Sequence, residues 1–75
     1  MELREFVKGQ RKVHGLSQAE LARKAGVGLR FVRELEQGKT TLRMDTVNHV
    51  LHLFGRALGP VEWRPTVEEG EPDEV

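Results

Sequence analysis

Residues 15–38, Gly15-Leu-Ser-Gln-Ala-Glu-Leu-Ala-Arg-Lys-Ala-Gly-Val-Gly-Leu-Arg-Phe-Val-Arg-Glu-Leu-Glu-Gln-Gly38, leave this chain few ways to fold. Ser17 stands three residues before Glu20. The Ser17 hydroxyl can accept the Glu20 backbone N–H while the Glu20 carboxylate accepts the Ser17 N–H, which opens a helix. Leu21, Ala22 and Ala25 then share its inner face, and Gly26 stands where a left-handed C′ residue ends it. A second helix runs from about Leu29 to Gln37, turns Val32 and Leu35 inward, and stops at Gly38 in the same way.

Two short helices joined by a tight glycine turn, with arginines on the second, have the form of a helix-turn-helix. The second helix of such a unit fits the DNA major groove. The flanks read as further helices. Leu3, Phe6, Val7 and Gln10 share a face over residues 2–13, although Gly9 costs about 1 kcal/mol relative to alanine. Gly15 ends that segment. Val47, Val50, Leu51 and Phe54 form an amphipathic stripe over residues 44–54, closed by Gly55. Residues 58–64, Leu-Gly-Pro-Val-Glu-Trp-Arg, switch to alternating, strand-like chemistry. From Pro65 onward acids, Gly and Pro dominate, and disorder is expected.

Seventy-five residues make one small domain at most. A chain of this size buries only about 60% of its unfolded surface. It has no cysteine and no zinc-type spacing, so dimerisation is the remaining ordinary way to add buried area. The absence of cysteine agrees with a reducing compartment. There is no long apolar run and no signal-peptide pattern, so a cytoplasmic protein without a membrane partner is expected. The formal net charge of zero hides a segregation. Residues 1–61 carry eleven Lys/Arg against six Asp/Glu, whereas residues 62–75 carry one Arg against six acids. A basic body suits phosphate; an acidic tail suits a basic partner or plain solubility.

The block from Gly15 to Gly38 resembles the lambda-repressor-like, or XRE-type, helix-turn-helix family. Gly15-Leu-Ser-Gln-Ala-Glu-Leu-Ala matches its second-helix signature, and Glu36-Gln-Gly-Lys matches the end of its recognition helix. Thr40-Thr-Leu-Arg-Met-Asp-Thr-Val-Asn-His-Val-Leu is similar to the HipB-type antitoxins of toxin–antitoxin operons. The matches span residues 7–58. The resemblance implies an all-α bundle of four to five helices, with a short C-terminal strand that pairs across a homodimer. Residues 1–57 would be the DNA-binding domain, 58–64 the dimerising strand and 65–75 an acidic disordered tail. It also implies a repressor of its own operon whose second partner is a kinase-like toxin. Two positions depart from the family. Gly28 stands where Ser or Thr usually caps the recognition helix, at a cost of a few tenths of a kcal/mol. Leu29 stands where phage repressors place a base-reading glutamine, so their operators cannot be borrowed.

On this reading double-stranded DNA with a palindromic operator is the main partner. Gln18, at the N-terminus of the second helix, bridges a phosphate to the recognition helix or is a solvated surface amide. Gly28 caps the recognition helix, where Leu29, Arg30, Arg33 and Glu34 project away from the Val32/Leu35 face. Arg30 is suited to grip guanine O6 and N7 together, and Arg33 to clamp a phosphate. Glu34 accepts from cytosine N4 or orients an arginine. Phe31 touches a thymine methyl or packs beside Leu35, the second being the more ordinary fate of a helical aromatic. Lys39, Thr40, Thr41 and Arg43 line the next loop, where cations, hydroxyls and backbone N–H groups set register on phosphates. By the resemblance, Arg11 and Glu36 form a buried structural ion pair.

His49 and His52 share a helix face but lack the further ligands that a metal needs, so no metal site and no cofactor is expected. His14 has no evident role. Trp63 follows Val61 by two and would face the same side of a strand. It packs at a dimer interface, on its own bundle, or into a partner. Two other functions compete with the antitoxin reading: a stand-alone XRE-family repressor, and a protein-interaction adaptor that reads no DNA. An enzyme is not expected. There is no nucleophile–base pair, no phosphate-cradling glycine loop, and too little chain to enclose a pocket.

Overall fold

The computed structural model describes residues 2–65. Four helices follow one another: α1 (Leu3–Val13), α2 (Gln18–Ala25), α3 (Leu29–Glu36) and α4 (Met44–Leu53). Their bounds lie within a residue or two of those expected from periodicity and glycine stops.

The start of α2 is fixed by its capping box. The Glu20 N–H donates to Ser17 Oγ at 3.0 Å and the Ser17 N–H donates to Glu20 Oε1 at 2.8 Å. Such a cap contributes about 1 kcal/mol. Both helices of the motif end on a glycine in the left-handed region, Gly26 at φ 74° and Gly38 at φ 88°. Past each glycine the next N–H reaches back five residues, from Val27 to the Ala22 carbonyl and from Lys39 to the Glu34 carbonyl. This satisfies carbonyls that the helix end would leave unpaired. The same bonds close α1 and α4.

α2 packs on α3 and α4, and α1 packs on α3. Between them lie Val7, Leu21, Ala22, Val32, Leu35, Val47, Val50 and Leu51, all buried, with Leu3, Phe6, Ala25 and Phe54 half-buried around them. Each comes from the apolar stripe that the spacing placed inward. At the open end of the bundle Phe54 meets Phe6 edge-on at 6.5 Å and His14 at 5.3 Å. His14, for which no role was evident from the sequence, thus sets its ring beside Phe54 while remaining exposed.

The C-terminal segment departs from expectation. Residues 56–65 carry neither helix nor sheet pairing, so the strand expected over residues 58–64 is absent among the described residues. A strand exists only when another strand satisfies its backbone groups, and this bundle offers none. The segment is tied down at its start, where the Leu58 N–H donates to Asn48 Oδ1 at 2.7 Å. The tail expected over residues 65–75 falls, past Pro65, outside the described residues. No helix among the described residues is long and apolar enough to cross a membrane.

Candidate nucleic-acid interface

α3 presents its outer face because its inner one is committed. Val32 and Leu35 are buried, which leaves Arg30 and Arg33 turned to solvent. The Arg30 side chain is 90% exposed, and its Nε donates to Glu34 Oε2 at 3.2 Å. Lys39 Nζ approaches the other oxygen, Glu34 Oε1, at 3.4 Å. Glu34 thus stands between two cations and orients Arg30. Gly28 caps α3 in the extended conformation without a side-chain bond.

Leu29 does not project with its neighbours. It is half-buried against the core, because it precedes Val32 by three and so sits over the same face. Phe31 is likewise half-buried against the core. Of the four positions expected to point outward, Arg30 and Arg33 are exposed, Glu34 is half-buried between cations, and Leu29 has turned inward.

Behind α3 a polar network ties three helices together. Arg11 donates from Nε to Glu36 Oε2 at 2.7 Å and from Nη2 to Glu36 Oε1 at 3.0 Å, and its Nη1 reaches the Leu16 carbonyl at 2.9 Å. Gln18 Nε2 adds a third bond to Glu36 Oε1 at 3.1 Å. Only 3% of the Glu36 side chain and 12% of the Arg11 side chain are exposed. Burial, the largest single influence, pushes the Glu36 carboxyl up. The bonds from Arg11 and Gln18, with the charges of Arg11 and Lys8, outweigh it and hold the group below its ordinary value. The bond to Glu36 raises the Arg11 guanidinium. Gln18 is therefore neither a free surface amide nor a lone phosphate ligand. It joins the N-terminus of α2 to the end of α3, and the second N–H of its Nε2 remains for an acceptor such as a phosphate.

The loop after Gly38 exposes Lys39, Thr40 and Thr41. Arg43 precedes α4 and pairs with Asp45, at 2.8 Å from Nη2 and 3.1 Å from Nε, with both groups largely exposed. One approach to this loop was missed in the sequence. The Arg4 side chain lies across Gly38, so a side chain at position 38 would begin 3.0 Å from Arg4 Nη1. The spacing of Arg4 and Lys8 on α1 was its only trace.

His49 and His52 are exposed, and among the described residues no three His, Cys, Asp or Glu gather as metal ligands. Val61 and Trp63 are 85% and 79% exposed. Trp63 thus does not pack on its own bundle.

A family model described as helix-turn-helix matches residues 7–59. The uncharacterized HTH-type transcriptional regulator y4mF of Sinorhizobium fredii is 51% identical to this chain over 45 residues, which are 60% of this chain and 59% of that protein. The chain therefore spans about three fifths of that relative's length.

Proposed function

The chain belongs to the helix-turn-helix family, and on that premise we propose that it is a sequence-specific, DNA-binding transcriptional repressor that acts as a homodimer. The observation that carries this reading is Arg30: a 90% exposed guanidinium at the start of the recognition helix, steered by Glu34. Beside it Arg33 is exposed for a phosphate, Gln18 is held at the start of α2, and Lys39, Thr40, Thr41 and Arg43 line the adjoining loop. A dimer would present two such helices about one DNA turn apart, roughly 34 Å, to a palindromic operator. A relative named as an HTH-type transcriptional regulator supports the same reading.

Titrating the protein against its own promoter fragment and a scrambled duplex, at two salt concentrations, tests it. The promoter is bound far more tightly, and both affinities fall as salt rises. Equal or absent binding to the two duplexes would favour a protein-interaction adaptor that reads no DNA.

Val61 and Trp63 are the dimer-forming residues in this proposal, their strand pairing with the same strand of a second copy. Large exposed apolar groups on so small a domain need a cover, and a second copy supplies one. Trp63→Ala is expected to shift the protein toward monomer in sedimentation equilibrium, with the helical circular dichroism unchanged. A dimer that persists would move Trp63 to a heterologous partner. The resemblance of residues 40–51 to HipB-type antitoxins makes a kinase-like toxin that partner, and the repressed operon the one that encodes both. Co-purification of the neighbouring gene product with this chain tests that step. A chain that purifies alone would be a stand-alone repressor.

A further inference from the structure

Two backbone-gripping points stand apart on the interface: the loop after Gly38, and the N-terminus of α2 at Gln18. α1 runs between them. Arg4, near its start, lies across Gly38 and so adjoins Lys39. Arg11, seven residues on, bonds the Leu16 carbonyl and shares Glu36 with Gln18. Lys8 falls between the two, four residues from Arg4, on the same face of the helix. Arg4, Lys8, Glu5 and Glu36 line an open notch of about 240 Å³ between α1 and the end of α3.

The notch holds two cations, Arg4 and Lys8, and two acids, Glu5 and Glu36, but no ion pair joins a cation to an acid within it. Glu36 is taken by Arg11 and Gln18. Lys8 is exposed and forms no ion pair with another described residue. Arg4 uses its Nε on Glu2 at 2.8 Å, in an exposed pair of little worth, and its terminal nitrogens donate no hydrogen bond to a described residue. A lysine without an ion pair and an arginine held only by an exposed surface pair, set in line with groups that suit phosphate, match a polyanionic backbone.

We propose that Arg4 and Lys8 form a row of phosphate contacts on α1 that joins the α3–α4 loop to the N-terminus of α2. The row rests on the DNA-binding reading and deepens it. It extends the grip on one duplex and adds nothing to base recognition, because α1 lies outside the helix that enters the groove.

The test is the salt dependence of binding to the promoter fragment, measured for the full chain and for Arg4→Gln, Lys8→Gln and the double variant. Each single substitution is expected to lower the slope of log affinity against log salt by about 1, and the double variant by about 2. The ratio of promoter to scrambled affinity stays unchanged. Lys24→Gln removes the same charge from a face beside Leu53 and Phe54 and leaves the slope as it was. If wild type binds the promoter and Lys8→Gln keeps the full slope, the row is wrong and the DNA reading stands. A Lys24→Gln loss equal to that of Lys8→Gln would also overturn the row, as an effect of net charge. If wild type binds no duplex, the DNA reading fails and takes the row with it.

Discussion

Replacing Glu36 with alanine is expected to lower the unfolding free energy by about 3–5 kcal/mol, measured by chemical denaturation at neutral pH. Its carboxylate is the shared acceptor of Arg11 and Gln18, and only 3% of its side chain is exposed. Without it the Arg11 guanidinium stays in a site only 12% open to water, with the Leu16 carbonyl as its one recorded bond. The cost is that of a stranded charge, larger than the net worth of the pair. Small domains hold about 5–15 kcal/mol in all, so the variant sits near the edge of folding. Glu36→Gln keeps an acceptor oxygen for Arg11 and loses less.

The same site gives the protein an acid-sensitive component. Glu36 is held below the ordinary glutamate value of about 4.3, so the folded state favours the ionised form. That stabilisation is complete above the unfolded value and is lost as pH falls through the lowered folded one. The difference in stability between wild type and Glu36→Gln therefore narrows in that acidic window. A constant difference across it would mean that Glu36 acts by shape and hydrogen bonding rather than by charge.

The parts of this molecule legible in the sequence are those that a short stretch of chain decides by itself. Ser17 and Glu20 are three apart and can only meet across one helix turn. Gly26 and Gly38 stop helices whose periodicity had already run out. Val32 and Leu35 faced inward because three residues is nearly one turn. Contacts between distant residues were less legible. Leu29 looked like an outward reader beside Arg30, yet a spacing of three from Val32 carries it onto the core once the bundle closes. The bond from Gln18 to Glu36 spans eighteen residues and left no local mark. Arg4 over Gly38 could not be seen until α1 lay against the end of α3. Residues 58–64 had strand chemistry without a strand, since alternation states what a segment can pair with and not whether a partner is present. Trp63 is the clearest case, an anchor type that its own bundle leaves 79% exposed.

Arg30→Ala carries the largest expected effect on recognition. A guanidinium that grips guanine O6 and N7 is worth about 1–3 kcal/mol of discrimination, so promoter affinity falls roughly 5- to 150-fold. Scrambled-duplex affinity falls far less, because nonspecific binding rests on phosphates and loses one charge among many. The fold is not at stake: Arg30 is 90% exposed, and its bond to Glu34 is a surface pair of little worth. Arg30→Lys restores the charge without the planar fork and is expected to recover scrambled binding more fully than promoter binding. Glu34→Gln, which leaves Arg30 unsteered, gives a smaller loss in the same direction. Equal losses on the two duplexes for Arg30→Ala would make Arg30 a backbone contact and move base reading to Arg33, the other exposed arginine of the recognition helix.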